Sequence, residues 1–135
     1  MSKVWVLGAG QLGDMLCQSA MPLGVDVKSV GADFDVSLLS GLDDNDIVTP
    51  EIESWPVSKA TDKLAAHPHF INKDVFPVIA DRFSQKQMLD TVAVATAPWL
   101  AVTMETTEQE ITQQLGETAL LKRRRGGYDL SLIHI

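Results

Sequence analysis

Met1-Ser-Lys-Val-Trp-Val-Leu-Gly-Ala-Gly-Gln-Leu-Gly-Asp-Met15 opens the chain, and its reading decides the fold. Val4-Trp5-Val6-Leu7 is a short continuous apolar run, the pattern of a buried parallel strand. It runs directly into Gly8-x-Gly10-x-x-Gly13, and a helical pattern follows at once. Strand, glycine turn and helix in that order make a nucleotide-type βαβ unit. Glycine lets the backbone turn tightly and lets a ligand approach it. The helix N-terminus then offers unpaired N–H groups and a partial positive charge to an anion, usually a phosphate. A tight βα turn with no ligand uses the same residues, so the motif alone names no substrate.

Beyond this unit, Leu12, Met15, Leu16, Ser19 and Ala20 share one helical face, predicted to meet the core. Cys17 lies at its flank, as a half-buried structural thiol. Pro22 and Gly24 end the helix. Val25–Val30 alternates with period two and predicts a second strand. Residues 36–45 read as a loop or short helix around Val36–Leu39, followed by Asp43-Asp-Asn-Asp46 as a solvated surface loop. Ile47–Thr49 predicts a third strand closed by Pro50, Lys59–Ala66 a helix started near Ser58 or Thr61, and Phe70–Asn72 a fourth strand. His67-Pro-His69 reads as a loop rather than a metal pair, because Pro68 breaks the strand such a pair would need.

Further on, Ser84-x-x-Gln87 reads as a capping box for a helix over 85–91, and Thr107-x-x-Glu110 as one for a helix over 108–115, ended by Gly116. Thr96–Val102 predicts a turn leading into a strand, and Thr118–Arg124 another strand before a mobile Gly126-Gly127 loop. Alternating strands and helices give an α/β fold with a mostly parallel first sheet.

The totals narrow the function. The chain of 135 residues is 45% hydrophobic and 21% charged, enough apolar material for a core. A formal net charge of −7 supplies no global positive field for nucleic acid. The single cysteine excludes an internal disulfide and fits a reducing cytoplasm. No stretch has the length of a membrane span or the form of a signal peptide.

Four stretches could carry chemistry. Gln11 stands at the mouth of the glycine turn. Pro50-Glu51-Ile-Glu53 follows the third strand, and carboxyl ends of parallel strands face one crevice, so Glu51 or Glu53 could sit beside the turn. A turn and helix start with acidic residues favoured by the dipole explains them as well. Asp81-Arg82-Phe-Ser84 places an arginine at a helix entrance, suited to a phosphate or to a surface pair with Asp81. Finally, Lys122-Arg-Arg-Arg-Gly-Gly-Tyr-Asp129 could aim Lys122 from a buried strand at a phosphate, before a diglycine loop rich in N–H donors. It is not a P-loop, because the lysine precedes the glycines.

Together, Gly8–Gly13, Glu51-Ile-Glu53, Ala80–Lys86, Thr96-Ala-Pro98 and Lys122–Asp129 resemble, in order, the N5-carboxyaminoimidazole ribonucleotide synthetase family of ATP-grasp enzymes. The resemblance implies a Rossmann-like preATP-grasp domain over 1–80 with a parallel sheet, then the start of an ATP-grasp domain over 81–129. It implies carboxylation of 5-aminoimidazole ribonucleotide with bicarbonate, driven by ATP and magnesium, in a cytoplasmic enzyme that is a homodimer at full length. Neither nucleic acid nor membrane is an expected partner. Carried over by position, Gln11, Leu12 and Glu51 match the substrate-nucleotide site, and Arg82, Lys122, Gly127, Tyr128 and Asp129 match ATP-binding positions.

After Asp129 the sequence departs from the family, which continues with further glycines where this chain has Leu130–Ile135. Those six residues are expected to be a non-native tail, with 126–135 lacking a packed return strand. Catalytic residues, the adenine pocket and the metal carboxylates are expected downstream, which makes this stretch an inactive fragment. A rival reading is an NAD-binding Rossmann module or oxidoreductase fragment. It rests on Asp33, twenty residues beyond Gly13, although Gly31 and Ala32 separate that acid from the strand.

Overall fold

A computed structural model describes residues 2–126 and the backbone of 133–134. The chain divides into two units, Met1–Pro77 and Val78–Ile135, where the sequence predicts a boundary at 80.

The first unit is built on three parallel strands, β1 (Val4–Leu7), β2 (Val27–Val30) and β3 (Ile47–Pro50), in the order β2-β1-β3. Helix α1 (Gln11–Ala20) follows the glycine turn, as the motif predicts, and a 3₁₀ turn over Met21–Leu23 ends at Gly24. Strand β2 is two residues shorter than expected. The predicted fourth strand is absent: Phe70 makes only an isolated parallel bridge to Val48. Asn72 has a φ of 57°, which turns the chain away before a ladder can extend.

One face of the sheet carries the core. Trp5 and Leu7 point there with Val30 and Val48, and meet Leu39, Ala60, Leu64 and Phe70. Leu39 comes from a 3₁₀ segment over Val36–Gly41, capped by the Asp35 carboxylate accepting from Ser37 N. Ala60 and Leu64 come from α2 (Lys59–Ala65), whose Ser58–Thr61 capping box satisfies donors at its start. Trp5, Leu7, Leu39 and Leu64 are each 2% exposed or less, and complete burial of such side chains is worth about 1.5–3 kcal/mol apiece.

The opposite face is covered differently from the prediction. Leu12, Met15 and Leu16 are 57%, 51% and 46% exposed, so the apolar stripe of α1 points outward. The side of α1 turned inward holds its small residues instead: Gly13 is buried, and Cys17 and Ala20 are half-buried. A β-carbon on Gly13 would collide with the Gly8 carbonyl and lie 3.3 Å from Ser29 Cβ. The helix therefore lies close against the sheet, and its bulky residues have no room between. Cys17 Sγ donates to Val27 O at 3.6 Å, in keeping with a structural thiol.

The acidic loop also differs from its reading. Asp46 is not solvated; it is 2% exposed and accepts from Lys3 N (2.7 Å), Trp5 Nε1 (2.9 Å) and Asp43 N (3.0 Å). Burial works to raise its pKa, but these donors and the Lys3 charge overcome it and hold the carboxyl at about 2. His67 is buried as well, accepting from His69 N at Nδ1 while Nε2 faces Asp43 O at 3.0 Å. Its ring belongs to the loop packing, as the proline between the histidines suggests.

The one-turn helix α3 (Phe76–Ile79) leads into the second unit, which holds α4 (Arg82–Thr91), α5 (Glu108–Leu115) and strand β4 (Leu120–Leu121). Helix α4 starts at Arg82, three residues before the predicted start at residue 85. Asp81 caps it by accepting from Phe83 N and Ser84 N, so Ser84 lies inside the helix. A carboxylate is the stronger acceptor at that end. Helix α5 has the predicted Thr107–Glu110 box and Gly116 at its end. Thr96–Val102 forms no strand; Trp99 instead packs edge-on against Phe83 and donates Nε1–H to Asp90.

The strand predicted over 118–124 is limited to Leu120 and Leu121. They pair antiparallel with β5 (Ile133–His134), in the register Leu120↔His134 and Leu121↔Ile133. This corrects the expectation that no return strand follows. A short edge strand leaves N–H and C=O groups unpaired, and an extended segment of the same chain satisfies them. No helix among the described residues is long and apolar enough to cross a membrane.

Candidate functional site

In the first unit the β2-β1-β3 order reverses at β1, and a crevice opens beyond the carboxyl ends of strands at such a switch point. Two segments enter it. One is the glycine turn after β1. Gly8 has a φ of +127° and donates its N–H to Val30 O at 2.7 Å. Gly10 is the N-cap of α1 and has no side chain to cap the helix. A β-carbon at Gly10 would have nothing within 4 Å. The first turn of α1 is thus bare, with Gln11 and Leu12 both exposed on it.

The other segment begins at Glu51. Pro50 ends β3 in register with Leu7, and the next donor, Glu51 N, bonds Leu7 O at 2.9 Å. That bond draws the half-buried Glu51 against β1. Its Oε2 would stand 2.5 Å from a β-carbon on Gly8. Of the two carboxylates left open by the sequence, Glu51 is the one packed on the glycine turn. Residues 51–53 form bends rather than continued strand. The helix-start reading fails too, since the next helix begins at Lys59. Gln11, Leu12 and Glu51 therefore border one open turn: N–H donors and an amide on one side, a carboxylate on the other. Such a pairing can hold a phosphate at the helix end and a hydroxyl or amine at the acid.

Asp33, the basis of the rival reading, is exposed and turned back toward Gly31, its Oδ1 3.3 Å from where a β-carbon would be.

In the second unit, Arg82 is the first residue of α4. Its N–H bonds Arg124 O (2.9 Å), and its Nη1 donates to Arg123 O and Gly126 O, both at 2.8 Å. Two of its five guanidinium N–H donors are thereby used, leaving those on Nε and Nη2. The surface pair between Arg82 and Asp81 does not form. Asp81 instead takes Arg124, with Nε at 3.1 Å and Nη2 at 2.6 Å, and Arg125 Nε at 3.4 Å. The Arg124 guanidinium holds the Asp81 carboxyl at about 2, joined by the Ser84 and Phe83 N–H groups and working against burial. Arg124 also lies over the Phe83 ring at 4.8 Å.

Lys122 directly follows β4 and is exposed, rather than extending a buried strand. Gly127, Tyr128 and Asp129 lie outside the described residues. Among the described residues no three His, Cys, Asp or Glu side chains stand together as metal ligands. Sequence reasoning took Asp81 only as a surface partner of Arg82 and Asp46 only as part of a solvated loop, and gave Arg124 no individual role. An acid before a helix start and a tryptophan N–H in a buried strand were the signals for Asp81 and Asp46.

Residues 1–40 match a family described as the ribonucleotide synthetase preATP-grasp domain. The N5-carboxyaminoimidazole ribonucleotide synthase of Escherichia coli (strain K12) is 46% identical over 129 residues, which is 96% of this chain and 36% of that protein. The structure of the Staphylococcus aureus enzyme complexed with ADP superposes with a TM-score of 0.77 at 22% identity, covering 99% of this chain and 41% of that one. The Aspergillus clavatus enzyme, in complex with ADP and 5-aminoimidazole ribonucleotide, gives a TM-score of 0.63 at 26% identity, covering 92% and 38%. The chain spans roughly a third of the length of the curated relatives it matches, 36% and 34% for the first two. The glycine turn, the α/β order and 46% identity along nearly its whole length make the chain a relative of the N-terminal part of N5-carboxyaminoimidazole ribonucleotide synthases, beginning with the preATP-grasp fold.

Proposed function

We propose that the chain contributes the ribonucleotide-binding and part of the ATP-binding surface of an ATP-grasp ligase. The reaction is carboxylation of 5-aminoimidazole ribonucleotide with bicarbonate, giving N5-carboxyaminoimidazole ribonucleotide, ADP and phosphate in purine biosynthesis. The observation that carries the reading is the Glu51 carboxylate packed on Gly8 beside the uncapped start of α1. In this arrangement the N–H groups at Gln11 and Leu12 hold the substrate's phosphate, and Glu51 accepts from its ribose or amine. The complex of a relative with ADP and 5-aminoimidazole ribonucleotide supports the choice of ligand.

For ATP, the described residues that fit a polyphosphate are the Lys122 ammonium and the remaining donors of Arg82; Gly127, Tyr128 and Asp129 join them in this reading on the family resemblance alone. ATP supplies the phosphoryl group that activates bicarbonate, and these residues neutralise charge and orient the chain of phosphates. Magnesium has no fitting ligand set among the described residues. The protein is a cytoplasmic homodimer in this reading. The NAD reading gains no support from the relatives, whose names are those of N5-carboxyaminoimidazole ribonucleotide synthases.

Titration of the chain with 5-aminoimidazole ribonucleotide tests the proposal, with Glu51→Ala as the control. Loss of one charge-assisted hydrogen bond is expected to weaken binding by about 1.5–3 kcal/mol, or roughly ten- to a hundredfold. Equal affinity in both proteins would remove Glu51 from the site.

A further inference from the structure

We propose that Asp81 is a positioning residue that holds the basic segment 122–126 in place for nucleotide, acting through Arg124 and Arg125. The proposal rests on the reading of Arg82 and Lys122 as polyphosphate contacts.

Asp81 is 3% exposed and serves two structures at once. Toward its own helix, Oδ1 accepts from Phe83 N (3.0 Å) and Ser84 N (3.3 Å). Toward the distant segment, it takes the fork of Arg124 at both oxygens and Arg125 Nε at Oδ2. A two-pronged guanidinium–carboxylate pair fixes orientation as well as distance. Residues 82 and 83 add to the same junction. Arg82 binds the carbonyls of Arg123, Arg124 and Gly126, and Phe83 lies under the Arg124 guanidinium. Three consecutive residues at one helix start thus grip a segment more than forty positions away.

The grip has a consequence for ligand binding. In a trans peptide the C=O and the following N–H point in opposite directions. Because the carbonyls of Arg123 and Arg124 face Arg82, the N–H groups of Arg124 and Arg125 are directed away from α4. They are donors of fixed orientation, next to the exposed ammonium of Lys122. An anion arriving there meets a prearranged set rather than a loop it must order.

Asp81→Asn separates this role from capping, because asparagine caps helices about as well as aspartate but carries no charge for the arginines. Arg124→Gln removes the same pair from its 63%-exposed end and leaves the cap intact, which covers the case of Asp81→Asn failing to fold. Two readouts are used on the 135-residue chain: amide hydrogen exchange without ligand, and affinity for ADP. In either variant the Arg82 amide, bonded to Arg124 O, is expected to lose protection about tenfold or more, while Phe83 and Ser84 change little. ADP affinity is expected to fall about fivefold or more. Unchanged protection at Arg82 in both variants would overturn the positioning role and leave Asp81 a helix cap. Lost protection with unchanged ADP affinity would overturn its link to nucleotide. If the unaltered chain does not bind ADP, the nucleotide reading fails, and the exchange result still decides whether Asp81 holds the segment.

Discussion

The Glu51 carboxylate rests where a side chain on Gly8 would have to go: a β-carbon there would stand 2.5 Å from Oε2. Gly8 also holds a φ of +127°, which L residues rarely adopt. Gly8→Ala is therefore expected to cost about 1–3 kcal/mol of stability, from backbone strain more than from contact with a movable carboxylate. Chemical denaturation of the two proteins measures it. A loss below about 0.5 kcal/mol would show that the turn relaxes without harm.

Gly10 should behave in the opposite way. It caps α1 in an extended conformation with open space around it, and serine is at least as good a cap as glycine. Gly10→Ser is expected to keep or slightly raise the melting temperature while weakening 5-aminoimidazole ribonucleotide, because its hydroxyl competes for the first-turn N–H groups. Unchanged ribonucleotide affinity would mean that those groups do not face the ligand.

Asp46 links pH to the stability of the first unit. Its carboxyl is depressed from the ordinary 3.8 to about 2, so the folded state favours the ionised form. The stabilisation is fully present above pH 3.8 and is lost as pH falls toward about 2. Asp46→Ala strands the Trp5 indole N–H and two backbone N–H groups, at a cost of about 2–4 kcal/mol at neutral pH. Acid titration followed by the NMR resonance of the Trp5 indole N–H and by chemical denaturation should show that the variant has lost part of this dependence. Identical acid curves would contradict the burial of a charged Asp46.

Ser58 tests a local rule. It closes a reciprocal box with Thr61, which is buried and also donates to Pro56 O at 2.8 Å. Ser58→Ala is expected to cost about 1 kcal/mol by thermal unfolding, with faster exchange in the first turn of α2. Thr61→Ala should cost more, since it leaves the Pro56 carbonyl and Ser58 N without that partner. The reverse order would place the stabilising bond in Ser58 alone.

The elements written in local chemistry were legible in the sequence. Glycine turns and capping boxes act over a few residues, so β1, the start of α1, α2 and α5 could be placed from neighbours alone. The helix faces and buried charges depend on distant partners. Helix α1 turned Gly13, Cys17 and Ala20 toward the sheet, although Leu12, Met15 and Leu16 form the more apolar stripe. Close approach to the Gly8 carbonyl and Ser29 decided the matter, and hydrophobic periodicity does not register it. Asp46 looked solvated among other acids, yet the Trp5 indole needed an acceptor. Strand length at 118–124 was overread, because a β-like run forms a strand only where another backbone pairs with it, and only Leu120 and Leu121 are paired.

The candidate site followed the same division. Glu51 could be placed near the glycine turn from strand order alone, but choosing it over Glu53 required the bend that follows Pro50. Arg82 was visible as an arginine at a helix entrance. Its use of Nη1 on the carbonyls of residues 123 and 126 was not, because that contact joins positions far apart in the chain.

The most direct test of the ribonucleotide reading is an NMR titration of the isotope-labelled chain with 5-aminoimidazole ribonucleotide, repeated with ADP and with NAD. The ribonucleotide is expected to shift the amides of Gly10, Gln11, Leu12 and Glu51 saturably, and ADP to shift those of Arg82 and residues 122–126. Glu51→Ala should weaken the first response and leave the second unchanged. Resonances of Gly10 to Leu12 that ignore the ribonucleotide, or that move at lower concentration with NAD, would contradict it.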